Sequence, residues 1–455
     1  SSGTHEAGAV KRLARILSVL SLGLGTLTLV HPRHGGLGIA LWYPKLVAGS
    51  WAPALALAGI VGAFLGLAGR DHRATAAGLG GALLAVRHVR RVTAPHRAFQ
   101  EAFGPDWEAC IPASLRSHLL PHRYTPLLPA WLRKLSGGVA TRAPHAPARR
   151  NLTYGRHAES GDPLLADIWL PPEGVPRSGL GIIYLFGGAW HYMNKDLGTR
   201  QFVSQLAGRG HVVMNAGYTL APRTHLIGQL ADVKRAIGWL KEHGSQYGVE
   251  PGQIVLTGVS SGAHLALLAA YTPNHPVLQP ADVTADTSVR AVVSYSGSPD
   301  LLSTYDYYRS HFGRYLVSNT LWERGFMAAV DRLFHKLGIL PPYGANLAPS
   351  RLVPSFVGGT PEEVPELYRL GSPVEHVGPH CPPTLLLQSA HDYSGILPDV
   401  RRLHRALRQA GVTSVHIEYP DTDHAFELVT LGAAAWSPAA RAAAYDTERF
   451  LALMA

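Results

Sequence analysis

Long apolar stretches dominate the first 90 residues of the chain. Ile16 to Val30 is uncharged, and Leu46 to Gly69 is a longer uncharged run. Since about 20 apolar residues cross the core of a bilayer, the longer run predicts a membrane-spanning helix. We interpret the first run as a retained span rather than a cleaved leader. Ala74 to Val86 fits a third span extended past Val86 or an interfacial segment, and a buried helical domain is the alternative for the whole region.

Basic residues flank these stretches in three clusters: Lys11, Arg12 and Arg15; Arg70 and Arg73; Arg87, Arg90 and Arg91. Positive residues near spans favour the cytoplasmic side. Two spans plus an interfacial segment would keep all three clusters and the rest of the chain in the cytoplasm, which we expect. Three spans would place the remainder outside. Gly62 and Gly66 form a G-x-x-x-G pair that would allow a homo-oligomer through these helices, although small residues are common in such segments.

From residue 151 onward, short apolar runs alternate with helical patterns such as Leu226 to His243. The strand-like runs are Leu164 to Leu170, Gly181 to Phe186, His211 to Asn215, Gln253 to Leu256, Ala291 to Tyr295, Thr384 to Leu387 and Val415 to Tyr419. This alternation predicts a mostly parallel central sheet with helices on both faces. We therefore expect a transmembrane helical region over 1–92, a basic, proline-rich juxtamembrane linker over 93–150, and an α/β domain over 151–455.

Composition narrows the class of protein further. The 455 residues are 46% hydrophobic and only 16% charged, which excludes a disordered chain. Cys110 and Cys381 are the only cysteines, too few for a disulfide scaffold or a multi-cysteine zinc site. The net charge of +10 fits nucleic acid or a membrane surface. Since nucleic-acid-binding signatures are missing from the sequence, we expect the lipid bilayer as a partner and no nucleic acid.

The segment Gly258-Val259-Ser260-Ser261-Gly262 matches G-x-S-x-G. It follows a strand-like run and opens a helical one, the context of a sharp turn that exposes a nucleophilic serine. The amide of Ser261 at the helix start could stabilise an oxyanion. Gly187 and Gly188 follow an earlier strand and could supply the other amides. An ordinary glycine turn is the alternative for each segment.

A nucleophilic serine needs a base, and the base needs an orienting acid. Asp392 and His424 each follow a strand-like run in the chain order Ser, acid, His, so we expect them to complete a triad with Ser260. The rival acids are Asp399, Asp421 and Asp423, and the rival bases are His391 and His264.

With these motifs, residues from about 151 to 453 resemble the α/β-hydrolase superfamily, in its hormone-sensitive-lipase-like carboxylesterase branch. The matching segments are FGGAW at 186–190, GYTLAP at 217–222, Asp232, GVSSGAH at 258–264, GTPEEVPELYRLGSPVEHV at 359–377, Asp392 and His424. Membrane-attached prenylcysteine methylesterases are similar in their GGAW, S-x-G-A-H and HDYS-like segments. Two positions depart from the pattern: Phe186 replaces a common histidine, and GVSSGA replaces the GDSAGG of the narrower group.

Residues 301–355 form a longer insertion than the core fold requires, and aromatic residues are concentrated in it. Insertions here form a lid in relatives of the resembled family; a small helical subdomain is the alternative. We expect Trp190, Tyr308, Phe312 and Trp322 to line an apolar acyl pocket.

The sequence thus predicts a membrane-anchored, lipase-like serine hydrolase that cleaves apolar or lipid-like carboxylic esters through an acyl-enzyme, without metal or organic cofactor. An acyltransferase that uses the same serine and a non-catalytic membrane scaffold are the alternatives.

Overall fold

The structure is a computed structural model that describes residues 2–32, 35–124, 148–312, 349–427 and 437–455. Its α-helices are α1 (Ser2–Leu27), α2 (Gly35–Ser50), α3 (Ala52–Ala68), α4 (His72–Val92), α5 (Ala98–Phe103), α6 (Ala113–Arg116), α7 (Arg200–Ala207), α8 (Leu226–His243), α9 (Ser261–Tyr271), α10 (Leu301–Phe312), α11 (Pro349–Val357), α12 (Pro365–Leu370), α13 (Leu397–Gln409) and α14 (Pro438–Met454). Short 3-10 helices lie at Trp107–Cys110, Gly244–Tyr247 and Pro373–His376.

The strands are β1 (Arg149–Arg156), β2 (Pro163–Trp169), β3 (Gly181–Leu185), β4 (Val212–Ala216), β5 (Ile254–Val259), β6 (Ala291–Tyr295), β7 (Thr384–Ser389) and β8 (Ser414–Tyr419). In the described part of the chain they form an eight-stranded sheet in the order β1-β2-β4-β3-β5-β6-β7-β8. Strands β3 to β8 run parallel, and β2 is antiparallel to β1 and β4. The mostly parallel sheet and its seven predicted strands are confirmed. The sequence did not reveal β1, because this edge strand is largely exposed and has no apolar run.

The parallel strands bring the candidate chemistry to one edge of the sheet. Strand β5 ends directly before Ser260, β3 ends just before Gly187, β7 precedes Asp392 and β8 precedes His424. The central strands β3, β5 and β6 are buried along their whole length. In open α/β sheets the carboxyl ends of parallel strands meet in this way and form the functional crevice.

The predicted span from Leu46 to Gly69 is not one helix. Helix α2 ends at Ser50, α3 begins at Ala52, and the segments Leu37–Ser50 and Ala52–Ala68 are bent by 72°. Pro53 in the first turn of α3 lacks the N–H that would continue the α2 hydrogen-bond pattern. Among the described residues no single helix has the length and apolar composition of a membrane span, but these two segments pass that test together.

Helices α1, α3 and α4 pack closely through small residues. A Cβ atom at Gly62 would lie 2.5 Å from Oγ of Ser18, and one at Gly78 would lie 2.5 Å from the carbonyl oxygen of Gly59. Glycine is needed at these positions because backbone and hydroxyl atoms occupy the space of a side chain. Gly62 of the predicted G-x-x-x-G pair therefore contacts α1 of the same chain. The homo-oligomer stays a prediction.

The segment that follows α4 packs against the α/β domain through α14. Buried Asp446 accepts hydrogen bonds from the Tyr419 hydroxyl at 2.6 Å and from Arg123, and it lies 3.2 Å from Nε2 of His96. Leu120 N donates to the Glu448 carboxylate at 3.0 Å. The described part of the predicted linker is thus fixed on the domain surface by buried polar contacts.

Candidate active site

Ser260 occupies a strained turn between β5 and α9. Its φ of 54° and ψ of −121° are unfavourable for a residue with a side chain. A Cβ atom at Gly262 would lie 2.3 Å from the carbonyl oxygens of Leu185 and Phe186, and one at Gly258 would lie 2.5 Å from the carbonyl carbon of Gly262. The G-x-S-x-G spacing therefore has a steric cause: both glycines allow the tight approach that leaves Ser260 partly exposed.

The structure brings the three predicted triad residues together. The distance from Ser260 Oγ to His424 Nε2 is 2.8 Å. On the other side of the ring, His424 Nδ1 lies 2.9 Å from Oδ2 and 3.0 Å from Oδ1 of Asp392. Serine, imidazole and carboxylate thus form a continuous hydrogen-bonded chain. An imidazole held in this way can accept a proton from the serine hydroxyl.

The carboxylate of Asp392 is fully buried and heavily hydrogen-bonded. Oδ2 accepts from Nε2 of Gln388 at 2.7 Å and from the Ser389 hydroxyl at 3.0 Å, and Oδ1 accepts from the Ser394 amide at 2.9 Å. Burial alone would raise the pKa of Asp392, but the charge of His424 and the hydrogen bonds from His424 and Ser394 lower it below the ordinary value. Conversely, burial would lower the pKa of His424, but Asp392 raises it.

Each rival residue has another partner. Asp421 pairs with Arg87 and Arg91, and Asp423 pairs with Lys45. Asp399 lies on α13, 3.7 Å from Arg402, where burial and the charge of Asp300 raise its pKa to about 6.

The rival histidines are also engaged away from the serine. His391 stacks on His31 with ring centroids 4.4 Å apart. His264 accepts from the Trp190 indole at 3.1 Å and lies 2.8 Å from the Gly371 carbonyl oxygen. Burial lowers the pKa of each of these two imidazoles to about 4. No group of three or more potential metal ligands occurs among the residues that the structure describes.

Gly187 lies directly against the serine turn. A Cβ atom at Gly187 would be 2.8 Å from the Val259 carbonyl oxygen and 3.2 Å from Cβ of Ser260. Gly188 has φ +137°, and a side chain there would collide with the Tyr192 carbonyl oxygen. Within the described residues, no backbone acceptor is found for the N–H groups of Gly187, Gly188 or Ser261. Gly187 thus lies against Ser260, Ser261 follows it directly in the chain, and Gly188 is the next residue of the same glycine loop.

Phe186 and Trp190 flank this glycine loop and pack against aromatic residues. The Phe186 ring stacks on Tyr218 with centroids 4.4 Å apart, and the Tyr218 hydroxyl donates to the Phe186 carbonyl oxygen at 2.8 Å. Stacking thus takes the place of the histidine found in many members of the resembled family. Trp190 is buried and stacks on Phe356 at 4.5 Å, so its indole packs inside the protein.

The insertion lies only partly within the described residues. Tyr308 and Phe312 lie on α10, where their rings meet edge to face with centroids 5.3 Å apart. Phe312 is buried, and Tyr308 is close enough to Asp392 for that charge to contribute to a raised Tyr308 pKa, after the larger effect of burial. Trp322 lies outside the described residues, as does most of the predicted lid.

Two residues of α2 contact the site and were not predicted. Lys45 Nζ lies 2.6 Å from Oδ2 of Asp423, and the indole N–H of Trp42 donates to the His424 carbonyl oxygen at 2.6 Å. The available signal was a lysine placed after Trp42, Tyr43 and Pro44, at the head of an uncharged run. A lysine is almost never fully buried without a paired partner, but only the structure shows that Lys45 is buried.

Comparisons with known proteins show which proteins this chain resembles. The BD-FAE family model matches residues 166–326. The chain is 31% identical over 360 residues to the probable carboxylic ester hydrolase LipM of Mycobacterium tuberculosis, covering 77% of this chain and 73% of the relative. A shorter match, 28% over 123 residues, is to a probable isoprenylcysteine alpha-carbonyl methylesterase of Arabidopsis thaliana, covering 27% of this chain and 28% of that relative.

Among solved structures, esterase 2 of Thermogutta terrifontis phosphoramylated by tabun aligns with a TM-score of 0.48 at 20% identity, covering 67% of this chain and 96% of that one. The extent and identity of the LipM match place the chain in a family: it belongs to the α/β-hydrolase superfamily, in the hormone-sensitive-lipase-like carboxylesterase branch. It is a serine ester hydrolase.

Proposed function

We propose that the chain hydrolyses carboxylic esters through Ser260, His424 and Asp392. The observation that supports this proposal is the hydrogen-bonded chain from the Ser260 hydroxyl through the His424 ring to a buried carboxylate, with contacts of 2.8 and 2.9 Å. Positioned nucleophile, base and orienting acid are the requirements of acyl transfer to serine.

In the proposed reaction, Ser260 Oγ attacks the acyl carbon while His424 Nε2 takes the hydroxyl proton. Asp392 holds the imidazole in the tautomer with hydrogen on Nδ1 and stabilises the imidazolium. The amides of Gly187, Gly188 and Ser261 donate to the oxyanion. His424 then gives its proton to the leaving alkoxide. Water enters, gives a proton to His424 Nε2 and attacks the acyl carbon. The Ser260 oxygen leaves with that proton, and the carboxylic acid is released.

The test is Ser260→Ala, with the exposed Ser245→Ala as the matched control. We expect Ser260→Ala to lower kcat by roughly 10⁶, as loss of a catalytic serine does elsewhere, and to abolish labelling by a fluorophosphonate probe. We expect Ser245→Ala to keep the wild-type kcat and the labelling by the probe. Activity close to wild type in a folded Ser260→Ala protein would overturn the mechanism. Product analysis with an added acceptor alcohol separates hydrolysis from acyl transfer.

We further propose that α1, α3 and α4 anchor the enzyme in a bilayer. The distribution of residue types supports this: small residues fill the spaces between the helices, whereas large apolar side chains point outward. The exposed large apolar residues are Val10, Leu13, Ile16, Val19 and Leu20 on α1, Leu57, Ile60, Val61, Phe64 and Leu67 on α3, and Leu79, Leu83 and Val86 on α4. Small residues inside and large apolar residues outside are typical of helices packed in lipid.

The packing of these helices supports a sidedness. Gly69 lies near Lys11 while Gly59 lies near Ser21, so α1 and α3 are antiparallel. Gly66 lies near Thr75, so α4 turns back again. Three crossings would put the first two basic clusters at one end, and the third cluster with the α/β domain at the other. At the domain end, Arg87 and Arg91 pair with Asp421 and Lys45 pairs with Asp423. We therefore propose that the first two clusters mark the cytoplasmic side and that the active site faces away from it. The cytoplasmic arrangement expected from sequence is the other outcome of the test.

Two measurements test attachment and sidedness. We expect the protein to stay in the membrane after high-salt and alkaline washing, because apolar contacts are not screened by salt. Release by salt alone would contradict the anchor. Cys110 is exposed and Cys381 is buried, so a membrane-impermeant maleimide should label wild type in intact cells but not Cys110→Ser. Labelling only after lysis would place the domain in the cytoplasm.

The substrate class follows from the same arrangement. Helix α2 contacts the His424 segment and leads directly into α3, whose outer face is apolar. An ester dissolved in the lipid layer would therefore lie beside the site. We propose an apolar or lipid-like carboxylic ester as the substrate.

A further inference from the structure

Helix α2 contacts both segments that carry the base and the acid. Lys45 extends from α2 to Asp423, the residue before His424. Its Nζ lies 2.6 Å from Oδ2 of Asp423, with side-chain exposures of 2% and 0%. An ion pair so completely shielded from water holds its two partners in a fixed arrangement, since either charge alone would be strongly destabilised.

Asp423 is hydrogen-bonded to both the base segment and the acid segment, so its fixed position restrains them as well. Its Oδ1 accepts from the backbone amide of His424 at 2.8 Å and from that of Tyr393 at 3.1 Å. Tyr393 directly follows Asp392. One carboxylate thus joins Lys45 to the backbone beside the base and to the backbone beside the acid.

Trp42 provides a second, independent contact from the same helix. Its indole N–H donates to the His424 carbonyl oxygen at 2.6 Å, and its ring meets Tyr393 edge to face at 5.9 Å. Gly38, one turn earlier, approaches Tyr393 so closely that a Cβ atom would lie 2.8 Å from Cβ of Tyr393. Three positions on one face of α2 therefore contact the acid and base segments.

We propose that Lys45 and Trp42 are positioning residues for ester hydrolysis, and that α2 is part of the active site rather than only a connection to the membrane anchor. This inference rests on the proposed roles of Ser260, His424 and Asp392. Through Asp423, Lys45 sets where the His424 backbone lies. Trp42 restrains the same residue through the hydrogen bond to its carbonyl oxygen. Loss of either contact lets the imidazole move away from Ser260 Oγ.

The charges around His424 determine which measurement reports this role. The charges that raise its pKa are those of Asp392, Glu427 and Asp423, and Lys45 pairs with Asp423. The ring of Tyr393 meets the His424 ring edge to face, with centroids 5.5 Å apart. Burial raises the pKa of Asp423 and Lys45 lowers it, so without Lys45 this carboxylate ionises only at higher pH. Once ionised and unpaired, it favours the protonated imidazole and shifts the acid limb of the pH profile to higher pH. Removing both charges, as in Lys45→Met/Asp423→Asn, removes that shift.

The experiment compares Lys45→Met, Lys45→Met/Asp423→Asn and Trp42→Phe in the full chain with a water-soluble ester. For Lys45→Met we expect kcat to fall by about 10- to 100-fold with KM within about threefold, and the acid limb to move up in pH. The double variant returns the limb to its wild-type position. Trp42→Phe keeps an aromatic ring but loses the indole N–H, and we expect it to lower kcat without moving the acid limb of the pH profile.

Lys241→Met is the control, since it removes a lysine–aspartate pair before the amino end of β6, at the opposite end of the sheet. It should leave kcat and the pH profile unchanged. Unaltered kcat and pH profiles in Lys45→Met and Trp42→Phe would overturn the inference while an inactive Ser260→Ala upheld the proposed function. If Lys45→Met fails to fold, Trp42→Phe decides: wild-type kcat overturns the inference, and a reduced kcat at unchanged KM supports it.

Discussion

His424 Nδ1 contacts both carboxylate oxygens of Asp392, at 2.9 and 3.0 Å, and no other acid of the four considered from sequence lies in this position. Asp421 and Asp423 are paired with basic residues of the N-terminal helices, and Asp399 lies on α13 beside Arg402. The structure thus separates four carboxylates that the sequence could rank only by strand position.

Asp392→Asn should lower kcat/KM by about 10⁴, because an amide favours the wrong imidazole tautomer and cannot stabilise the imidazolium. Asp399→Asn is the matched control and should be near normal, since its carboxylate does not contact His424. Steady-state kinetics on a p-nitrophenyl ester measure both. Strong impairment of Asp399→Asn with an active Asp392→Asn would reassign the acid.

The pH dependence of kcat/KM should show an acid limb with its midpoint above the ordinary histidine pKa of 6.5. The base must be neutral to accept a proton, and Asp392 raises the pKa of His424, so the inactive imidazolium persists to higher pH. The charges of Glu427 and Asp423 act in the same direction, that of Asp423 weakened by its ion pair with Lys45. Rates measured in buffers between about pH 5 and 9 give the midpoint. A midpoint below 6.5 would contradict a carboxylate-stabilised imidazolium.

Gly187→Ala should lower kcat by about 10²–10³ and change KM little. The new Cβ would lie 2.8 Å from the Val259 carbonyl oxygen, so the loop and its amides must move away from the oxyanion. Gly252→Ala is the control, because a Cβ there meets no atom within 4 Å. Equal kcat in the two variants would remove Gly187 from the proposed oxyanion site.

Chain length of the ester tests the apolar substrate. From p-nitrophenyl acetate to decanoate, we expect kcat/KM to rise about fourfold for each added CH₂ until the pocket is filled, since each buried methylene contributes about 0.8 kcal/mol. The series is measured in detergent and in liposomes. A steep preference for acetate in both media would leave a small-acyl esterase whose helices serve location alone.

The local pattern of residues predicted most strands of the catalytic domain, the turn at Ser260 and helix α8. Short apolar runs predicted seven strands, and the glycine spacing around Ser260 predicted its turn, because both depend on neighbouring residues. Helix α8 was predicted with the observed bounds, Leu226–His243. The exposed edge strand β1 could not be predicted in the same way, since it has no apolar run and its extended conformation is fixed by pairing with β2.

The sequence by itself determined the order of strands and helices, the nucleophile turn and the residue types at the strand ends, because backbone sterics and apolar periodicity act over a few residues. Only the tertiary structure decided the bend at Trp51, the contact of Gly62 with α1 of the same chain, and the position of Asp392, rather than its rivals, beside His424. It alone joined Lys45 to Asp423, 378 residues apart. Such contacts depend on how distant elements pack, and local pattern carries no record of that packing.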